Sequence, residues 1–224
     1  MRLIVILGGH ASGLIVADSI RARAGAGEAI RTIGFLNDEL DVGQSIGGYP
    51  VLGAFEDWNR LPVDAEFVAA FPLPQAARER HARLASLGIP NARFATILDT
   101  SSHISPSARL GRGAYVGANV AIEHDAHIAD HAIVRAGAYV SHDVTIGTFA
   151  FVGPNATLLG GTTVSEGAHV GAGAVVREHT MVGAYAVVGI GSVVVRDVDA
   201  GATVAGNPAR PIVTPHVLGT VRAG

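Results

Sequence analysis

From Ile104 onward one aliphatic residue recurs at every sixth position, through Leu110, Val116 and Ile122 to Val188 and Val194, sixteen residues that are all Ile, Leu or Val. Four places after each stands a small or β-branched residue, from Ala108 and Ala114 to Ser192 and Val198. A helix repeats every ~3.6 residues and a strand every ~2, so neither produces a strict six. A solenoid of short strands and corners does, with the large and small positions both turned inward. Three hexapeptides close a triangular coil of eighteen residues. Sixteen of them predict a prism about five coils tall, stacked at the ~4.8 Å spacing of neighbouring strands.

The first hundred residues follow a different rhythm. Residues 3–7 are an apolar run of buried-strand type, followed by the glycine-rich turn Gly8-Gly9-His10-Ala11-Ser12-Gly13 and a helix-like stretch over 14–22. Strand, glycine turn and helix open a βαβ unit. Glycines at such a turn let a phosphate or sugar approach the N–H groups of a helix N-terminus, although the spacing is not that of the dinucleotide fingerprint. Further strands are expected over 30–36, 65–71 and 93–98, a helical turn at Glu56-Asp57-Trp58, and a helix over 75–87 stopped by Gly88. The chain therefore divides into a Rossmann-like α/β domain (1–99), a parallel β-helix (100–211) closed by the cap Ala205-Gly206-Asn207-Pro208-Ala209, and a tail (212–224) without period.

Composition narrows the partners. Net charge is -3 with no basic run, which speaks against nucleic acid and anionic membranes. The absence of Cys excludes a thiol nucleophile, a thiolate metal site and a disulfide framework. The apolar start is too short for a secretory leader and no window reaches a membrane span, so a soluble cytoplasmic protein is expected. Charged residues are only 16%, which suggests that some prism faces are covered by other chains.

With an eighteen-residue coil, residues eighteen apart lie above one another. One such column reads Pro106, His124, His142, Gly160, Glu178, Arg196, and beside it run Ser107, Asp125, Asp143, Gly161, His179, Asp197. Two His-Asp pairs are thus expected on one edge in successive coils. Histidine exchanges a proton near neutral pH, so an imidazole there suits general base work. Asp125 would orient the His124 ring or steady its charged form. His127, His131, His169 and His179 are expected to be surface residues.

The steps Gly8-Gly9-His10-Ala11, Gly34-Phe35-Leu36-Asn37-Asp38, Pro50-Val51-Leu52-Gly53, Ser105-Pro106-Ser107-Ala108, Ile122-Glu123-His124-Asp125 and the Gly206-Asn207-Pro208-Ala209 cap resemble the NeuD/PglD group of sugar acyltransferases. The resemblance covers nearly the whole chain. It implies a left-handed β-helix, against the usual right-handed crossover, and a homotrimer with acetyl-CoA between neighbouring prisms. A nucleotide-activated amino sugar would be held by the N-terminal domain through Gly8, Gly9, His10, Asn37 and Asp38, with Glu123 of the prism also against the substrate. His124 matches the family's catalytic histidine and Asp125 the acidic residue after it. The C-terminal end would hold CoA through Gly153, Gly171, Gly189, Arg177, Arg196 and Arg210, and no metal is needed. His142 replaces a small residue of the family and would line the pantetheine path or the acceptor pocket.

Departures fall on the acceptor side. Phe71-Pro72-Leu73-Pro74-Gln75 stands where relatives have an Ile-Gly-Asn or Ile-Gly-Asp step, Asp99-Thr100-Ser101-Ser102 replaces a His-Pro-Ser-Ala step, and Ile133 replaces a second histidine. The leading expectation is acetyl transfer to the amine of a nucleotide-linked amino sugar. His124 would serve as general base in a direct attack, since no Cys and no Ser-His-Asp arrangement is evident. O-acetylation of a sugar of the sialic-acid type and a non-catalytic assembly prism are the alternatives. A zinc hydratase on the same prism needs two histidines five apart, and no such pair occurs.

Overall fold

In the computed structural model, described for residues 1–70 and 77–212 with His10 described by its backbone, two layers of architecture meet side by side. The N-terminal half is a five-stranded sheet formed by β1 (Arg2–Gly8), β2 (Ile30–Leu36), β3 (Ser45–Ile46), β4 (Tyr49–Gly53) and β5 (Ala65–Ala70), in the order β3-β4-β2-β1-β5. All neighbours are parallel except β3 and β4. The helix α1 (His10–Gly25) crosses from β1 to β2, and α2 (Ala77–Ser86) follows β5. Gly13 lets α1 lie directly on the sheet, since a Cβ there would come 2.5 Å from the Phe35 ring. The expected helical turn is a 3₁₀ helix over Phe55–Arg60.

The second half is a left-handed parallel β-helix whose every strand is two residues long until the final hairpin. Three sheets form its faces. Face one runs from Ile97–Leu98 through Tyr115, Ile133, Phe151, His169 and Val187 to Thr203–Gly206. Face two runs from His103–Ile104 through Tyr139 to Val193–Val194, and face three from Arg109–Leu110 through His127 to Met181–Val182. Strands pair at a spacing of eighteen, as in Ala121 with Tyr139 and Ile122 with Val140, until the last coil, which is two residues shorter and pairs Val187 with Thr203 and Val182 with Val198. From Val116 to Val194 the aliphatic sixth-position residues are buried to within 1% and pack with the alanine rungs into a single core. Each such side chain stabilises by roughly 1.5–3 kcal/mol.

The prism begins earlier than the pattern suggested. Ile97–Leu98 already pairs with Tyr115–Val116, so the stretch 93–98 is not a strand of the α/β sheet. It is a 3₁₀ turn over Asn91–Arg93 followed by the first rung of the prism, with Phe94 bridging to Phe67. At the far end the antiparallel hairpin Thr203–Gly206 with Ala209–Pro211 closes face one and covers its last edge. The divergent segment 71–75 and the tail beyond Ile212 lie outside the described residues.

The two halves are joined along face one. Tyr115 and Ile133 pack into the cluster that holds Val16, Ala17 and Ile20 of α1. Ser19 donates to Asp99 Oδ2 at 2.7 Å and lies 2.9 Å from the Tyr115 hydroxyl, while Arg23 donates to Leu98 O at 2.8 Å. A second seam forms where His81 of α2 stacks on Phe149 at one prism edge.

Candidate active site

The edge between faces two and three carries the histidine column. Backbone rungs fix its register: Asp143 N donates to His124 O at 3.0 Å, Gly161 N to His142 O at 3.0 Å, and His179 N to Gly160 O at 2.9 Å. Asp125 and Asp143 sit in the left-handed region, with φ of 52° and 58°, a conformation that Asp tolerates better than most residues. That turn swings each carboxylate back onto the imidazole before it.

The two pairs are built differently. His142 Nδ1 lies 2.8 Å from Asp143 Oδ2, and its ring lies over Gly160, where a Cβ would come 2.6 Å from Cε1. His124 turns the other way: Nδ1 lies 2.9 Å from Ser107 Oγ in the preceding coil, and Nε2 lies 3.3 Å from Asp125 Oδ2. Ser107 Oγ also accepts the Asp125 N–H at 2.9 Å and lies 3.2 Å from Ser105 Oγ. The His124 side chain is 74% exposed, open to an incoming molecule. A Ser-His-Asp constellation therefore does exist here, contrary to the reading of the sequence. Its signal was the column Ser107 and Asp125, eighteen apart.

Along the same edge Arg177 stands three coils from the histidine pair's position and Arg196 four coils, about 19 Å at the strand spacing. Arg177 Nε reaches Glu178 Oε1 at 3.4 Å and Arg196 forms no ion pair among the described residues. Arg210 lies in the closing hairpin, exposed, donating to Ala209 O. Gly153, Gly171 and Gly189 occupy the other border of face two. Each has a structural reason to be glycine: a Cβ at Gly153 would stand 2.6 Å from Ala172 N, at Gly171 2.7 Å from Ile190 N, and at Gly189 3.0 Å from Ala205 Cβ.

In the N-terminal domain, Gly8 (φ 123°) and Gly9 lead from β1 into α1, which His10 opens. Asn37 is buried and locks the ends of two strands, donating Nδ2 to Gly8 O at 3.2 Å and its backbone N to Gly53 O at 2.9 Å. Asp38 accepts from Phe55 N at 2.8 Å and from Arg83 at 3.0 Å. Both hold the loop around the glycine turn in shape. Within one chain these residues and His124 are not brought together, because the domain packs on face one and the edge bearing His124 and Glu123 lies opposite that face.

Of the histidines expected at the surface, His127 and His179 are exposed. The other two are largely buried. His131 lies between Phe149, stacked at 4.7 Å, and Phe94, edge-on at 4.4 Å; His169 stacks on Phe151 at 4.5 Å. Burial pulls both imidazoles down from 6.5 to about 4. The α/β domain covers the edge that presents His131, which the repeat alone did not reveal. Among the described residues no group of three or more His, Cys, Asp or Glu could hold a metal, and no helix is long and apolar enough to cross a membrane.

Comparison with known proteins gives the class. Residues 107–142 match the bacterial transferase hexapeptide (six repeats), and residues 143–177 match the hexapeptide repeat of succinyl-transferase. No match was found among curated proteins. Among solved structures, the acetyltransferase domain of PglB from Neisseria gonorrhoeae FA1090, in complex with acetyl coenzyme A, is 32% identical with a TM-score of 0.81; the match covers 94% of this chain and 99% of that one. A mutant of perosamine N-acetyltransferase from Caulobacter crescentus, in complex with CoA and GDP-perosamine, is 30% identical over 94% and 97%, with a TM-score of 0.82. WeeI from Acinetobacter baumannii AYE is 26% identical over 95% and 100%, with a TM-score of 0.80. The fold and the repeat define a hexapeptide-repeat acetyltransferase. The chain belongs to the NeuD/PglD-type sugar acyltransferases, enzymes that use acetyl-CoA as co-substrate.

Proposed function

We propose that the enzyme transfers acetyl from acetyl-CoA to the amine of a nucleotide-linked amino sugar, with His124 as general base. The observation that carries this is the open His124 ring, held at Nδ1 by Ser107 and flanked at Nε2 by Asp125 on an exposed edge. The amine nitrogen attacks the thioester carbonyl, and the C–N bond forms as the C–S bond breaks. Its proton passes to His124 Nε2, where Asp125 steadies the imidazolium, and then to the departing thiolate. A nucleophile in a bound sugar needs only a base and good placement for this step. The ligands named for the relatives, acetyl-CoA and GDP-perosamine, support the pair of substrates.

The sugar nucleotide is assigned to the glycine turn at Gly8, Gly9 and His10, beside Asn37 and Asp38. Because that turn belongs to a domain on the opposite side of the prism from His124, the complete site takes Glu123 and His124 from a second copy in a homotrimer. CoA is assigned to face two, its thioester near His124 and His142 and its phosphates toward Arg177, Arg196 and Arg210. Gly153, Gly171 and Gly189 form the far wall. The test is release of CoA thiol with a panel of UDP-, GDP- and dTDP-linked amino sugars and free sialic acid. Turnover with one amino sugar, lost at least a hundredfold in His124→Ala, is the expected result. Turnover only with a hydroxyl acceptor would make it an O-acetyltransferase, and no turnover in the panel would remove the acceptor assignment.

A further inference from the structure

We infer that Ser107 is the positioning residue of the reaction: it accepts the proton on His124 Nδ1 and so leaves Nε2 as the basic nitrogen. This rests on the reading of His124 as the base. A general base of the imidazole type needs its second nitrogen held by an acceptor, which fixes both tautomer and ring orientation. The residue expected to do so from the sequence was Asp125. The geometry places Asp125 at the wrong nitrogen for that task, 3.3 Å from Nε2, and puts Ser107 Oγ 2.9 Å from Nδ1.

The next coil supplies an internal comparison. His142-Asp143 repeats the same step eighteen residues later, with nearly the same backbone at the aspartate, φ 58° against 52°. There the residue one coil below Asp143 is Asp125, not a serine, and the imidazole turns its Nδ1 to its own Asp143 at 2.8 Å. The two rings differ in orientation, and their settings differ in two places: in the column Gly160 follows His142 where His142 itself follows His124, and the His124 ring alone has a serine hydroxyl in the preceding coil. At the first pair that hydroxyl takes over Nδ1 and frees the neighbouring carboxylate to face Nε2.

Hydrogen-bond accounting admits Ser107 as the acceptor, with the opposite tautomer, Ser107 donating to Nδ1 and Nε2–H to Asp125, as the arrangement the experiment must exclude. A hydroxyl has one hydrogen and two acceptor sites. The Asp125 N–H occupies one site at 2.9 Å and the Ser107 hydrogen can pass to Ser105 Oγ at 3.2 Å, which leaves the second site for Nδ1–H. When Nε2 takes the substrate proton, the ring donates from Nδ1 to Ser107 and from Nε2 to Asp125, so both N–H groups of the imidazolium meet an oxygen without any side chain moving. A reading of Ser107 as a nucleophile fits less well, because its oxygen already accepts a backbone N–H and it faces Nδ1 rather than the nitrogen open to substrate.

The experiment is ¹⁵N spectroscopy of histidine-labelled protein, paired with kinetics. In the wild type His124 should carry its proton on Nδ1. In Ser107→Ala it should shift toward the Nε2–H form that free imidazole prefers, while His142 is unchanged. The kcat of Ser107→Ala should fall about tenfold or more, a fraction of the ~10²–10⁴-fold that a general base supplies, with both KM values within about twofold. Ser107→Thr should restore the tautomer and most of the rate. An Nε2–H tautomer in the wild type, an unchanged His124 signal in Ser107→Ala, or an acetyl adduct on Ser107 after acetyl-CoA is added alone would overturn the inference. Full activity in His124→Ala would instead sink the base assignment, whatever the tautomer proves to be.

Discussion

The imidazole of His81 lies flat on the ring of Phe149, centroids 4.2 Å apart and planes 16° from parallel, and this stack clasps α2 of the N-terminal domain to the prism. The slot exists because the edge column next to Phe149 has Gly167, over which Tyr185 folds; His81 then sits 5.8 Å from Tyr185, and Arg78 caps that ring at 3.9 Å. Phe149 adopts φ of 58°, costly for a non-glycine residue and offset by what the ring contacts. Phe149→Asn keeps a residue suited to that backbone and removes only the ring. It should lower the unfolding free energy by about 1–3 kcal/mol, read from urea denaturation. An unchanged midpoint would mean that the clasp carries no stability.

The buried histidines predict acid sensitivity. His131 and His169 are pulled by burial to about 4, and burial lowers His81 as well; Asp130 opposes the shift at His131, and Glu166 at His81. The folded state thus takes up these protons less readily than the unfolded chain, whose imidazoles titrate at the ordinary 6.5. Stability is whole above about 6.5 and is lost as pH falls from there to about 4. His131 and His169 each cost on the order of 2 kcal/mol at the acid end, after discounting partial exposure. Urea midpoints across that range should decline, and His131→Phe, a ring already accommodated in that column at Phe149, should flatten the decline. A pH-independent midpoint in the wild type would refute the burial argument.

How much of this could be read beforehand depended on period. The core was legible because a strict six leaves no freedom about which residues turn inward: Val116, Val134 and Val152 had to stack. The edge columns were legible for the same reason, which placed His124 and His142 one above the other. Outward residues carry no such constraint. Whether His131 or His127 would be covered depended on where the α/β domain docks, and nothing in the hexapeptide rhythm encodes that. The contact between Ser107 and His124 was hidden because the two are seventeen residues apart and the repeat does not set the ring's orientation.

Glycines in the prism should divide sharply under substitution. At Gly171 a Cβ would meet Ile190 N and Val188 O, each at 2.7 Å, and both are backbone atoms that cannot retreat without opening the coil. Gly171→Ala should therefore destabilise by about 2 kcal/mol or more through overpacking, with or without acetyl-CoA present. Gly173 has φ of 65° with nothing within 4 Å, and Asn119 and Asn155 occupy the same column with φ of 55°. Gly173→Asn should stay within about 0.5 kcal/mol of the wild type. Equal thermal shifts in the two variants would count against this account of the coil contacts.

The arginine end of the histidine edge makes a prediction about the donor alone. Among the described residues Arg177 is held only by a 3.4 Å contact to Glu178 and a 3.4 Å hydrogen bond to Val195 O, both at the surface. It and Arg196 lose little if they turn toward an anion. A phosphate gained by an exposed guanidinium contributes modestly, about 0.5–1.5 kcal/mol, since much of the Coulomb energy is screened. Each of Arg177→Ala and Arg196→Ala should thus raise the KM for acetyl-CoA about threefold to tenfold and leave kcat unchanged, because the contact is the same before and during the chemical step. The discriminating substrate is acetyl-pantetheine, which has the thioester but no nucleotide phosphates. Both variants should match the wild type with it. A kcat loss, or an equal penalty with acetyl-pantetheine, would place these arginines somewhere other than against the CoA phosphates.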